Sequence, residues 1–199
     1  VDGDPATDDP VTRDALAARD GDPAAAARFV RATQTDVWRL VAHLGGREMA
    51  DDLTQETYLR ALRALPRFAG RSSARTWLLA IARRVCADHV RAAVRERRRN
   101  EPAPAAPVLP VPSQPDLADG VALRALLVGL EGRRREAFVL TQLVGLSYPE
   151  AAEVCGCPVG TIRSRVARAR DDLVRALGVR ALGGSSAGDG QPRSAAPDR

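Results

Sequence analysis

Between Thr161 and Arg170 the chain reads Thr161-Ile162-Arg163-Ser164-Arg165-Val166-Ala167-Arg168-Ala169-Arg170. Guanidinium groups and hydroxyls at this density have two chemistries open to them. An arginine can pair bidentately with the O6/N7 edge of a guanine, or it can neutralise a phosphate; Ser and Thr hydroxyls can reach either target. The apolar residues separate cleanly from these groups. Ile162, Val166, Ala169 and Leu173 recur at steps of four and three, which makes one buried helical stripe. That stripe turns Thr161, Arg163, Ser164, Arg165, Ala167 and Arg168 outward. Asp171 and Asp172 enter only at the far end, so the leading half of the face carries positive charge alone.

The preceding residues supply what is needed to position such a helix. Ser147 followed three residues later by Glu150 fits a capping box, and Pro149 falls in the first turn, where its missing N–H costs nothing. Ala151, Ala152, Val154 and Cys155 give a packing face, Gly156 breaks the helix, and Pro158 pre-sets the next first turn. A solvated surface is the commoner use of an arginine-rich face taken alone. Two capped helices joined by a short turn, the second basic on its outer side, instead predict a helix-turn-helix that presents its second helix to the DNA major groove.

Composition points the same way. The 199 residues carry a net charge of +5, and all 30 basic residues are arginine. Coding bias in a GC-rich genome accounts for part of that choice, but not for the clustering of arginines at 83–99, 133–135 and 163–175. The first 22 residues, by contrast, are rich in aspartate. A basic body behind an acidic arm suits a nucleic-acid partner. Aromatic residues make up only 4%, so the core must be aliphatic and helical. No apolar run reaches membrane-spanning length and no secretory leader is visible, which predicts a cytoplasmic chain with no membrane partner. Cys86, Cys155 and Cys157, with His43 and His89, lack zinc-site spacing and any nucleophile–base arrangement. The expectation is therefore small buried thiols, no metal, no cofactor and no catalytic residue.

The predicted fold class is all-α: two small helical domains joined by a proline-rich flexible linker, the C-terminal one a helix-turn-helix. Residues 1–22 are expected to be a disordered acidic arm, 23–99 the first domain, 100–117 the linker, 118–178 the second domain and 179–199 a disordered tail. Within the first domain helices are expected from Pro23 to about Thr33, from about Thr35 to Leu44, from Arg47 to Leu65, and from Ala74 to about Arg97. Pro66 ends the third of these and a loop spans 66–73. In the second domain a helix from Arg133 to Val144 precedes the helix-turn-helix, and Gly178 is placed as its terminal C′ glycine.

Three motifs, in this order, then identify a family. They are Asp51-Asp52-Leu53-Thr54-Gln55-Glu56-Thr57-Tyr58-Leu59-Arg60-Ala61, the stretch from Phe68 through Trp77-Leu78-Leu79-Ala80-Ile81-Ala82-Arg83, and Leu143-Val144-Gly145-Leu146-Ser147-Tyr148 running on to Gly160-Thr161-Ile162-Arg163-Ser164-Arg165. With a proline-rich linker between the second and third, the chain resembles the extracytoplasmic-function sigma factors of the sigma-70 family, and among them is similar to the actinobacterial sigma C type. The resemblance implies a sigma factor that binds core RNA polymerase and directs promoter-specific initiation.

The resemblance also implies roles for single residues. Asp52, Leu53, Gln55 and Glu56 match positions that grip the clamp helices of the large polymerase subunit, with Leu53 turned inward. Arg67, Phe68, Arg71, Arg75, Trp77, Arg83, Arg84 and Arg91 fall in the element that captures the −10 promoter strand. Trp77 is ambiguous, and a core role is the favoured reading. Arg163, Ser164 and Arg168 match −35 base contacts, with Thr161 and Arg165 as phosphate or neighbouring contacts. An anti-sigma factor is a further partner that the family admits. The alternative function is a helix-turn-helix activator that works without being a polymerase subunit.

Overall fold

The computed structural model describes residues 9–100 and 118–183; the side chains of 100, 118–122 and 179–183 are left aside. Every regular element among the described residues is helical. The expectations for the linker (100–117) and for the end of the tail fall almost wholly outside them.

The acidic arm is the first correction. Residues Pro10–Arg19 form a helix, α1, in place of disorder up to residue 22. Asp9 caps it, accepting from the Thr12 amide, and Pro10 occupies the first turn. The same Asp–Pro device opens α2, where the Asp22 carboxylate accepts from the amides of Ala24 and Ala25.

Helix α2 runs unbroken over Pro23–Leu44, where the sequence suggested a break near residue 34. Ala25, Phe29, Thr33 and Val37, four apart, are all buried, so the stripe never loses phase. The polar Thr33 is tolerated inside because its hydroxyl lies 2.8 Å from the Phe29 carbonyl and 2.7 Å from the Tyr58 hydroxyl. Gly46, at φ 106°, turns the chain into a short 3-10 turn (Arg47–Met49) and then into α3, Ala50–Ala64. A 3-10 turn over Leu65–Arg67 carries Pro66 as expected, and after the loop α4 spans Ala74–Asn100.

The second unit comprises α5 (Ala118–Val128), α6 (Gly132–Phe138), a π-helical turn (Val139–Leu143), α7 (Tyr148–Cys155) and α8 (Val159–Gly183). The helix predicted from Arg133 to Val144 is thus split: a wider turn begins at Val139. Gly178 does not stop α8, which continues to Gly183. A glycine in a helix interior costs only about 1 kcal/mol relative to alanine, too little to end a helix by itself.

The two units are packed against each other. One continuous cluster of buried residues runs from Phe29, Leu40, Leu78 and Val85 in the first to Val139, Leu140, Ala151 and Ile162 in the second. Fully burying a side chain of this size contributes roughly 1.5–3 kcal/mol. A smaller cluster of Leu127, Leu130 and Ala169 ties α5 to α8.

Candidate nucleic-acid interface

The helix-turn-helix forms as its sequence dictates. Ser147 and Glu150 make the reciprocal capping box, with the Ser147 amide 2.8 Å from the Glu150 carboxylate. Gly156 closes α7 in the left-handed region at φ 63°, φ/ψ values that side-chain-bearing residues rarely adopt. In α8, Ile162, Val166 and Ala169 are buried, while Arg163, Ser164 and Arg168 are exposed. Arg163 and Arg168 have no polar partner among the described residues and extend freely. Arg165 is half-buried, its Nη1 3.7 Å from the Cys157 sulfur, and so is aimed back at the turn. Thr161 is half-buried at the head of the helix, and its carbonyl accepts from the Ser164 hydroxyl at 3.0 Å.

The loop after α3 puts its arginines outside and its aromatic inside. Arg67 and Arg71 are exposed, whereas Phe68 is only 4% exposed and packs on Trp77 with ring centroids 4.8 Å apart. Phe68 therefore anchors the loop and offers no free face to a base. Trp77 is partly buried and belongs to the same packing.

Of the arginines on α4, Arg84 is exposed, and Arg91 is exposed but paired with Asp88 at 2.6 Å. Arg75 and Arg83 are already engaged. Arg75 donates from Nε to Asp36 at 2.7 Å and from Nη2 to the Val144 carbonyl at 2.6 Å. Arg83 is ion-paired with Glu136 of α6. Burial works to lower the Arg83 pKa, but the hydrogen bond and charge of Glu136 outweigh it, and the net shift is upward.

On α3, Asp52 and Gln55 are exposed side by side, and Glu56 is half-exposed and paired with Arg60 at 2.7 Å. Arg60 reaches on to Asp88 of α4 at 2.8 Å, which fixes the polar face against the neighbouring helix. Leu53 is 6% exposed, packed beside Gly45, and supports this face from within. The thiols are free. Burial pushes those of Cys86 and Cys155 up to about 12, so they behave as apolar groups. Among the described residues no His, Cys, Asp and Glu group could hold a metal ion, and no helix is long and apolar enough to cross a membrane.

Three parts of this surface escaped the sequence. Glu136 and the Val144 carbonyl, which engage α4, carry no local signal, because both act only across the seam. Helix α1 did carry one: Asp9-Pro10 repeats the Asp22-Pro23 start.

An all-helical pair of units, one ending in a helix-turn-helix and the other carrying an acidic helix and an arginine loop, defines a DNA-directed transcription protein. Residues 29–96 match the family Sigma-70 region 2, and residues 120–173 match Sigma-70, region 4. The ECF RNA polymerase sigma factor SigC of Mycobacterium tuberculosis is 54% identical over 178 residues, covering 84% of this chain and 91% of that one. The ECF factor EcfG of Rhodopseudomonas palustris is 40% identical over 129 residues, 65% of this chain and 71% of that one. Among solved structures, CnrH bound to the cytosolic domain of CnrY superposes with a TM-score of 0.67 at 27% identity, over 86% of this chain and 99% of that one. The sigma factor RpoE of Bartonella quintana, bound to the anti-sigma factor NepR, gives 0.65 at 30%, over 77% and 96%. The chain belongs to the extracytoplasmic-function sigma factors of the sigma-70 family.

Proposed function

We propose that this sigma factor binds core RNA polymerase through the exposed polar side of α3 and reads promoter DNA at two places. Asp52, Gln55 and Glu56 present an acidic and amide face complementary to a basic partner helix, with Leu53 as its internal support. Arg67 and Arg71 on the loop hold the unstacked −10 base, and Arg84 and Arg91 along α4 track the backbone of that strand. Arg163, Ser164 and Arg168 meet −35 base edges, and Thr161 and Arg165 meet the backbone near them. The observation that carries this reading is the exposure of Arg163 and Arg168, without a polar partner among the described residues, on the second helix of a capped helix-turn-helix in a chain of this family.

In the packed arrangement Arg75 and Arg83 are held by the second unit. They join the −10 surface only when those contacts are given up and the two units separate. The anti-sigma factor NepR in the RpoE structure indicates the class of a further partner for this chain. An activator working apart from polymerase is the weaker alternative, because membership of the family argues for a polymerase subunit.

The test is transcription in vitro with core polymerase over fragments of the source genome. Start sites that need this protein, sharing spaced −10 and −35 motifs, are the expected outcome. Sequence-specific duplex binding by the isolated chain, with no core-dependent start sites, would overturn the proposal.

A further inference from the structure

We infer that α1, which precedes the stretch matched to Sigma-70 region 2, is a latch that sets the shape of the loop over 68–73 and so the discrimination among −10 bases. This rests on the reading of that loop as the −10 contact. Three residues of α1, spaced by four and three and hence on one helical face, touch the loop at its end, its middle and its start.

Thr12 is fully buried. Its hydroxyl donates to the Asp9 carboxylate at 2.9 Å and accepts from the Ala74 amide at 2.9 Å. Ala74 N–H is one of the free donors at the start of α4, so this bond fixes where the loop ends and the helix begins. Leu16 lies over Gly70, whose φ of 68° puts it in the left-handed region. A Cβ on Gly70 would stand 3.6 and 3.7 Å from the two Leu16 methyl carbons. Arg19 donates from Nη1 to the Phe68 carbonyl at 3.2 Å, and its own charge is balanced by Asp20 at 2.8 Å.

The backbone is thus held from α1 while the Phe68 ring is held from α4 by Trp77. What remains outward is Arg67, Ala69 and Arg71, all exposed. A loop ordered before the strand arrives loses less entropy on capturing it, and its donors keep fixed directions. Thr12 and Arg19 are therefore positioning residues.

The test uses holoenzyme reconstituted from full-length chain and core polymerase, on promoter libraries randomised separately at −10 and at −35. Thr12→Val removes the hydroxyl at nearly constant shape, and Arg19→Ala removes the donor to Phe68. Each is expected to reduce discrimination at −10 by about fivefold, the size of one hydrogen bond of typical net strength. Preferences at −35 and core affinity stay as in the parent, and Thr12→Ser and Arg19→Lys restore the −10 preference.

Parental −10 profiles for Thr12→Val and Arg19→Ala, with a flattened profile for Arg71→Ala, would exclude the latch and leave the loop assignment standing. A parental profile for Arg71→Ala as well would remove the loop assignment, and the latch with it. Equal loss at −10 and −35, or no rescue by Thr12→Ser and Arg19→Lys, would mark α1 as general scaffolding and overturn the inference. Should Thr12→Val not fold, the Arg19 pair, on a partly exposed side chain, decides the question alone.

Discussion

The guanidinium of Arg83, on the helix expected to face promoter DNA, is ion-paired with the carboxylate of Glu136 in the opposite helical unit. The Glu136 side chain is only 14% exposed, and its other oxygen lies 3.8 Å from the Cys155 sulfur. Breaking a withdrawn pair from one side leaves the other charge without its partner, and that costs more than losing an exposed one.

Glu136→Gln is accordingly predicted to weaken the packing of the two units by about 1–2 kcal/mol, the buried-pair figure reduced for the partial exposure of Arg83. An increased separation between fluorophores on α4 and α8 would register this. An unchanged separation would show that the apolar seam alone holds the units together.

Acid should loosen the same seam at another point. The pKa of His43 is lowered, first by burial and then by the charge of Arg124, which belongs to the second unit and pairs with Glu48 at 3.1 Å. The unfolded state therefore takes up the His43 proton at higher pH than the folded state does. Stability is full above the ordinary value of about 6.5 and falls as pH drops through that value toward the lower folded one. Thermal melts of parent and His43→Gln between pH 7.5 and 5 should diverge, with the variant less pH-dependent. Parallel curves would count against the assignment.

On α8 the exposed Arg168 and the inward-leaning Arg165 should behave differently. Arg168→Ala is expected to relax preference at one −35 position, a change of about 1–3 kcal/mol between best and wrong base. Arg165→Ala should lower affinity evenly across sequences and reduce the salt dependence of binding. Selection of binding sites by holoenzyme separates the outcomes; an unchanged −35 motif with Arg168→Ala would refute its role in base reading.

The double variant Gln55→Ala plus Glu56→Ala should lose core polymerase while keeping its fold, since neither side chain is buried. A drop in affinity of at least tenfold, corresponding to about 1.4 kcal/mol, is expected in titration with labelled core. Recovery of core at parental affinity would move the polymerase contact elsewhere on the chain.

Most signals that were local were legible. The Ser147–Glu150 box, the Gly156 stop, the Pro66 boundary and the stripe of Ile162, Val166 and Ala169 each depend on residues within a turn or two of one another. Misreadings of the local kind had local causes. The Asp9-Pro10 start lies within an aspartate-rich stretch that masks it, and one glycine such as Gly178 costs too little to end a helix.

The sequence by itself determined that the chain is helical, that it carries a basic recognition helix behind a capped turn, and that its acidic and basic stretches follow the order of a sigma factor. Caps, periodicity and charge are properties of neighbouring residues, and they survive without knowledge of the fold. Tertiary structure alone decided which arginines are exposed and which are engaged among the described residues. Arg163, Arg168, Arg67 and Arg71 extend into solvent, while Arg75 and Arg83 are bound to Asp36, Val144 and Glu136. It also turned Phe68 from a prospective base contact into an anchor and drew α1 onto the loop. The fates of Arg75 and Arg83 depend on partners 39 to 69 residues away along the chain, and the contacts of α1 with the loop and with Ala74 span 49 and 62. Side chains of identical chemistry differ there only in what the fold places opposite them.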